Sequence, residues 1–230
     1  MDSVVLSGEI KRIAKKFGFV DAGIIEPHRP EHYDVFNSWL ADGHAGGMNY
    51  LGTQYALDCR ENPAMLFPDC QSIIVVLARY SSPAFYTNGD LDNSSGKVAA
   101  YAWGEDYHLV LIEKLNQMAK ELGGLTGRSV KNRAVTDSVP LLEREMAYDA
   151  GLGWIGKNSC LISPLHGSYT FIAELMTDIP LKAETSRVPD RCGTCRRCID
   201  ACPTHCILPN HTIAAERCLA YLTIEHRGHI

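Results

Sequence analysis

Close to the end of the 230-residue chain, Cys192-Gly-Thr-Cys195-Arg-Arg-Cys198-Ile-Asp-Ala-Cys202-Pro203 spells C-x2-C-x2-C-x3-C-P. No other feature restricts the fold as much. Three thiolates at intervals of three residues let a tightly turning loop wrap one side of an iron–sulfur cube. The fourth, offset by one extra residue, points away, and the proline redirects the backbone; in two-cluster ferredoxins that cysteine ligates the other cluster. Zinc takes four tetrahedral ligands, commonly in separated pairs, and suits this spacing poorly. A disulfide framework is the remaining use of many cysteines, but a chain of this size buries a core without crosslinks.

Six of the nine cysteines lie in this region: Cys192, Cys195, Cys198, Cys202, Cys206 and Cys218. Two four-thiolate clusters need more ligands than these, and no second C-x2-C-x3-C-P motif precedes Ile230. The region by itself therefore falls short of the ligands for two complete clusters. Cys206 reads as an incidental buried thiol, and Cys59, Cys70 and Cys160 as small hydrophobes in or near the core.

Hydrophobic residues make up 46% of the sequence and charged residues 21%, the balance of a globular protein rather than a disordered or collagen-like one. A net charge of −5 argues against a dedicated, all-over nucleic-acid binder. The basic residues nevertheless gather at one end: residues 186–230 hold six arginines against four carboxylates. Any polyanion is expected there, with a solvated basic face as the plain alternative. The opening MDSVVLSGEIKRIAKKFG lacks a secretory apolar stretch. No window reaches the roughly 18 apolar residues of a membrane span, so a cytoplasmic protein is expected.

Ile10, Ile13, Ala14 and Phe17 share one face of an opening helix that Gly18 can end. Strands are expected over 19–25, 72–80, 131–136, 160–163 and 169–176, and 72–80 (SIIVVLARY) has the apolar continuity of a strand buried on both faces. Helices are expected after His32, over 106–122 with Gly123-Gly124 as the stop, and over 141–150 before Gly151. Residues 86–98 read as a surface loop. The alternation predicts an α/β or α+β domain over 1–185, and the compositional change near Ser186 marks a second segment, 186–230.

Asp137 ends a predicted strand and precedes a predicted helix. From spacing alone a helix N-cap is the simpler reading and catalysis the sharper one. Gly151-Leu-Gly153-Trp-Ile-Gly156-Lys-Asn158 admits a close approach to a large ligand or a simple turn. Tyr107 and His108 read as ordinary surface or core residues.

Taken together, YAWGEDYHLVL (101–111), TDSVPLLEREMAYDAGLGWIGKNSCLISPLHGS (136–168), CGTCRRCIDACPT (192–204) and ERCLAYLTIEHRG (216–228) resemble epoxyqueuosine reductases. The resemblance covers nearly the whole chain. It implies a cobalamin-binding reductase domain, related to reductive dehalogenases, followed by a partial ferredoxin-like iron–sulfur module. It implies removal of the epoxide oxygen from a modified tRNA wobble nucleoside, with two electrons and two protons leaving an alkene and water.

By the same likeness Asp137 is the proton donor, a role that burial beside a large cofactor would assist. Arg60, Tyr101, Asp137, the backbone around Asn158–Leu161, Ala220 and Arg227 would contact cobalamin. Cys192, Cys195 and Cys198 would hold the first [4Fe-4S] cluster, and Cys202 and Cys218 part of the second. The implied partners are a tRNA anticodon stem–loop and a low-potential electron donor, with the protein a monomer. The alternatives are an iron–sulfur electron-transfer or binding module without turnover, and a cobalamin reductase of an organohalide.

Overall fold

The computed structural model describes residues 3–80, 98–183 and 186–229. Its centre is a four-stranded antiparallel sheet of β1 (Asp21–Ile25), β2 (Ser72–Arg79), β3 (Asn132–Val135) and β6 (Thr170–Thr177), in the order β1-β2-β6-β3. A separate hairpin pairs β4 (Trp154–Ile155) with β5 (Leu161–Ile162).

Strand alternation supplies two cores. Ile74, Val76 and Ala78 of β2, with Ala173 and Leu175 of β6, face α1 (Ser3–Lys16) and α4 (Tyr107–Thr126). Ile73, Val75 and Leu77, with Met176 and Val135, form the other core with Cys59 of α3 (Gln54–Glu61) and with Met146 and Ala147 of α5 (Glu143–Asp149). The continuous apolar run of β2 is thus explained by helices on both faces, in an antiparallel sheet. The remaining helices are α2 (Tyr33–Ala41) and the short α6 (Arg197–Ala201).

Three expectations need correction. Gly123-Gly124 does not stop α4, which runs to Thr126 and ends at Gly127, whose φ of 69° is the left-handed C-terminal turn that favours glycine. Nor is Asp137 a cap: α5 starts at Glu143 with Leu142 before it. And α3 was not expected, because QYALDCRE carries little apolar periodicity; Thr53 caps it through the Ala56 amide, and Cys59 is its buried anchor. The loop expected over 86–98 lies outside the described residues except for Val98.

The tightest seam lies between β1 and α5. A Cβ on Gly23 would stand 2.2 Å from the Ala150 carbonyl oxygen. Gly23→Ala is expected to destabilise the fold by about 2–4 kcal/mol, since neither the strand nor the helix end can retreat; thermal unfolding would measure it.

Residues 186–229 are fastened to the sheet domain by hydrogen bonds of several kinds. Trp39 Nε1 donates to the Ile213 carbonyl at 2.6 Å, the Gly47 amide to Tyr221 Oη at 2.8 Å, and the Ala215 amide to the His44 carbonyl at 2.9 Å. Lys157 Nζ reaches the Gly193 and Cys195 carbonyls at 2.6 and 3.0 Å, tying the glycine-containing hairpin to the cysteine loop.

Candidate active site

The sheet edge where β2 and β3 end and β6 begins carries an aromatic wall. Tyr107 stacks on Phe171 with ring centroids 4.2 Å apart, Phe171 lies 4.7 Å from Tyr80, and Tyr80 meets Tyr169 at 5.5 Å. Tyr101, 37% exposed, lies near enough to influence both Tyr80 and Tyr107 electrostatically. Offset and tilted rings of this kind present a broad apolar surface to solvent.

Asp137 stands beside that wall. It follows β3 with φ at 50°, a left-handed conformation that aspartate tolerates better than most residues. Two contacts hold the turn: Tyr107 Oη donates to Asp137 Oδ2 at 2.8 Å, and the Asp137 amide donates to Glu143 Oε1 at 2.5 Å. Burial and then the bond to Asp137 raise the Tyr107 phenol, which stays a donor. Tyr107 is therefore no ordinary surface or core residue; its signal is visible only once α4 is packed against the sheet. Asp137 is exposed, not buried as expected, because the turn lifts it off the sheet end.

Beneath Asp137 lie two more acids. Glu174 is fully buried in β6, in register with Val75 on one side and Val135 on the other, and neither of its carboxyl oxygens has a hydrogen-bond partner. Burial pushes Glu143 up to about 7 and Glu174 well above the usual carboxylate range, and each acid also feels Asp137. The folded chain thus keeps a proton on Glu143 that the unfolded chain releases above its ordinary 4.5. The Glu143 contribution to stability is expected to be greatest below about pH 4.5, to fall as the pH rises to about 7 and to level off beyond. Urea unfolding across that range checks the sign, and Glu143→Gln should flatten the slope.

The other expected site residues are placed unevenly. Arg60 is buried in α3, its guanidinium over the Phe36 ring and donating to the Leu51 and Ala56 carbonyls, and burial lowers its pKa. Tyr50 links Arg60 to the rest: both Arg60 and Asp137 act on it electrostatically, and its hydroxyl donates to Glu225 at 3.3 Å. Ala220 and Arg227 lie exposed in the neighbouring C-terminal stretch. Leu161 is only 4% exposed and turns into the core, so its backbone alone is available to a ligand. Asn158 accepts from the Cys160 amide at 3.3 Å. The glycine-containing hairpin is explained by packing: a Cβ on Gly153 would lie 2.4 Å from the Ile162 carbonyl oxygen.

All nine cysteines are free thiols. Cys192 and Cys195 bracket a tight turn closed by a 2.8 Å amide–carbonyl bond, Cys198 lies in α6, and Cys202 follows its end. Cys206 is buried, but not incidentally: its sulfur is 3.5 Å from that of Cys202. Hydrogen bonds from the Cys206 amide and Thr204 draw Cys202 down to about 6, a ready thiolate, while burial and Cys202 push Cys206 up to about 11. Cys59 and Cys70 are core residues as expected, but Cys160 is exposed on the hairpin with Cys198 and Cys218 acting on its thiol.

Among the described residues no three His, Cys, Asp or Glu side chains converge as a single-ion site. A soft, all-thiolate donor set on a turning loop fits iron–sulfur. The aromatic wall beside one carboxyl fits a broad, flat cofactor. No described helix is long and apolar enough to cross a membrane.

Residues 60–138 match the family model of epoxyqueuosine reductase QueG, DUF1730, and residues 191–230 match the 4Fe-4S double cluster binding domain. An epoxyqueuosine reductase of Cyclobacterium marinum is 40% identical over 219 residues, covering 94% of this chain and 68% of that one. The chain belongs to the epoxyqueuosine reductase family. Among solved structures, an epoxyqueuosine reductase with a tRNA-Tyr epoxyqueuosine-modified stem loop is 28% identical with a TM-score of 0.84. The Bacillus subtilis epoxyqueuosine reductase, with its catalytic aspartate loop swung out of the active site, is 27% identical with a TM-score of 0.82. Each match covers 96% of this chain but 58% of the solved one. The chain therefore spans somewhat over half the length of these solved relatives.

Proposed function

We propose that this chain is the cofactor- and substrate-facing part of a reductase that converts epoxyqueuosine to queuosine at the wobble position of tRNA. The observation that carries the reading is Asp137: an acid on a left-handed turn, fixed by Tyr107 and Glu143, at the foot of an aromatic wall. Loss of an epoxide oxygen as water consumes two protons, and a positioned carboxyl can deliver one at the leaving oxygen. Cobalamin, when bound, would supply the low-potential electrons that no side chain can.

The residues we assign to hold it are Arg60, Tyr101, Asp137, Asn158, the backbone of Leu161, Ala220 and Arg227. The wall of Tyr107, Phe171, Tyr80 and Tyr169 would exclude water from the reacting face. Cys192, Cys195 and Cys198 would hold one [4Fe-4S] cluster, and Cys202 and Cys218 would contribute to a second. We read 1–185 as the cofactor domain and 186–230 as the iron–sulfur segment. Lys157, bonded to the cysteine loop, sits where the two meet.

The substrate would be a tRNA anticodon stem–loop with the target nucleoside turned out of the stack. Arg187 pairs with Glu31 and Asp149, Arg196 with Asp200, and Arg227 is assigned to the cofactor, so phosphates would meet the other arginines of the segment, Arg191, Arg197 and Arg217. We place the protein in the cytoplasm, as a monomer served by a low-potential donor.

The test is anaerobic reconstitution with iron, sulfide and cobalamin, followed by nucleoside mass spectrometry of an epoxyqueuosine-containing stem–loop under a low-potential reductant. Conversion to queuosine together with corrinoid binding is expected. Iron loading without corrinoid binding or conversion would instead identify an electron-transfer or binding module.

A further inference from the structure

Cys206 is the one cysteine of residues 186–230 that the assigned cluster ligands leave unused, and it lies outside the C-x2-C-x2-C-x3-C-P spacing. It is buried, with its sulfur 3.5 Å from that of Cys202. The backbone makes this contact. The turn Cys202-Pro203-Thr204-His205 is closed by the His205 amide, which donates to the Cys202 carbonyl at 3.3 Å. His205 takes a left-handed φ of 49°, which turns the chain back and sets Cys206 beside Cys202.

Cys206 then opens a pinned element. Its carbonyl accepts from the Ala214 amide at 2.8 Å, Ile207 bridges Ile213, and the Leu208 amide donates to the Thr212 carbonyl at 2.9 Å. Trp39 and His44 tie that small hairpin to the sheet domain through Ile213 and Ala215. Cys206 is thus fixed and held from solvent, whereas Cys202 is half-buried and reachable. A disulfide needs its sulfurs about 2.05 Å apart, about 1.5 Å nearer than these stand, a gap that rotation of the two side chains can close. Where thiol reductants prevail, a bond of this kind is transient and redox-sensing rather than structural.

We propose that Cys202 and Cys206 are a reversible thiol–disulfide pair, closed by a small-molecule disulfide, RSSR, when no cluster holds Cys202. The inference takes one thing from the proposed function, that Cys202 is a cluster ligand. Two exchange steps make the bond. The Cys202 sulfur attacks one sulfur of RSSR, the S–S bond breaks, and the leaving RS takes the Cys202 proton as RSH. The Cys206 sulfur then attacks the Cys202 sulfur of the mixed disulfide, and a second RSH leaves with the Cys206 proton. The chain is oxidised by two electrons and RSSR is reduced to two RSH; excess RSH reverses both steps. While the pair is closed, Cys202 neither binds iron nor oxidises irreversibly to the sulfinic acid, so the ligand is stored rather than lost.

The test needs no cluster. The iron-free chain is incubated with oxidised glutathione, the remaining thiols are alkylated, and tryptic peptides are analysed by mass spectrometry. Cleavage after Arg197 and Arg217 releases residues 198–217, which hold Cys198, Cys202 and Cys206 and no internal lysine or arginine. The expected peptide carries one alkyl group, on Cys198, and has lost two hydrogens, with fragmentation placing the link between Cys202 and Cys206. Excess glutathione should return all three to alkylatable thiols. Cys206→Ala should stop at the mixed disulfide, raising the glutathione adduct on Cys202 about tenfold over the parent. Cys206→Ser, which keeps the size of the buried side chain, should do the same.

A parent chain that stays unreacted, stops at the glutathione adduct, or links Cys198 to Cys202 as readily would overturn the pair. Failure of the ligand reading looks different. Cys202 of the reconstituted protein would then oxidise as fast as in the iron-free chain, with the bond to Cys206 still forming.

Discussion

Asp137→Asn is expected to lower turnover of an epoxyqueuosine stem–loop by about 10²–10⁴-fold, the usual worth of a positioned general acid. The substitution is unusually clean here. Asparagine tolerates the left-handed φ of 50°, its side-chain oxygen can still accept from Tyr107 Oη, and its amide can still donate to Glu143. Only the proton is lost. Binding of the stem–loop and of the corrinoid should stay within about threefold, and stability within about 0.5 kcal/mol, as for substitutions away from the core. Single-turnover mass spectrometry measures the rate and a binding titration the affinity. A variant that turned over at the parental rate would remove Asp137 from the chemistry, and Tyr107 would be the next group to test.

Replacing any one of Cys192, Cys195 or Cys198 by serine should lower reconstituted iron and sulfide by about half or more, because a cube deprived of a thiolate on its wrapping loop is not retained. The visible charge-transfer absorption should fall in step. Cys59→Ser and Cys70→Ser are the controls. Both thiols are buried in the sheet core, far in sequence from the cluster loop, so iron content should hold while thermal stability declines by about 1–2 kcal/mol from the buried hydroxyl. Iron that dropped equally in controls and cluster variants would mean that fold integrity, not ligation, sets the loading.

How much of this could be read without the structure differs by residue. The helix of Ile10, Ile13 and Ala14 and the strand 72–79 were legible because their apolar periods are long and unbroken, and the structure puts both in the core. The stop of α4 was misread because glycine is tolerated inside a helix that tertiary packing supports: Leu115, Met118 and Leu122 bury the face that carries the helix past Gly123-Gly124. The helix that carries Arg60 was missed because one buried cysteine and a Thr53 cap, rather than a periodic stripe, define it.

Within the site, the cysteine loop was legible from spacing, and Asp137 from the family motif around it. Glu174 was not. A glutamate in TFIAELMT looks like the solvent-facing member of an alternating strand, and only helices on both sides of the sheet make it a buried acid. Cys160 was read as a core thiol for the converse reason, since a hydrophobic flank does not reveal that the hairpin turns its cysteine outward toward Cys198 and Cys218.

By itself, then, the sequence determined where soft thiol donors are spaced as a cluster loop would need them and which segments alternate or repeat with a helical period, because donor chemistry and local periodicity are written in neighbouring residues. Tertiary structure alone decided the direction of each chemical group: that Asp137 is exposed on a strained turn, that Tyr107 arrives from 30 positions earlier to hold it, and that two glutamates lie beneath it. Those relations are set by how helices cover both faces of one sheet, and burial, which fixes where protons reside, exists only after that packing is complete.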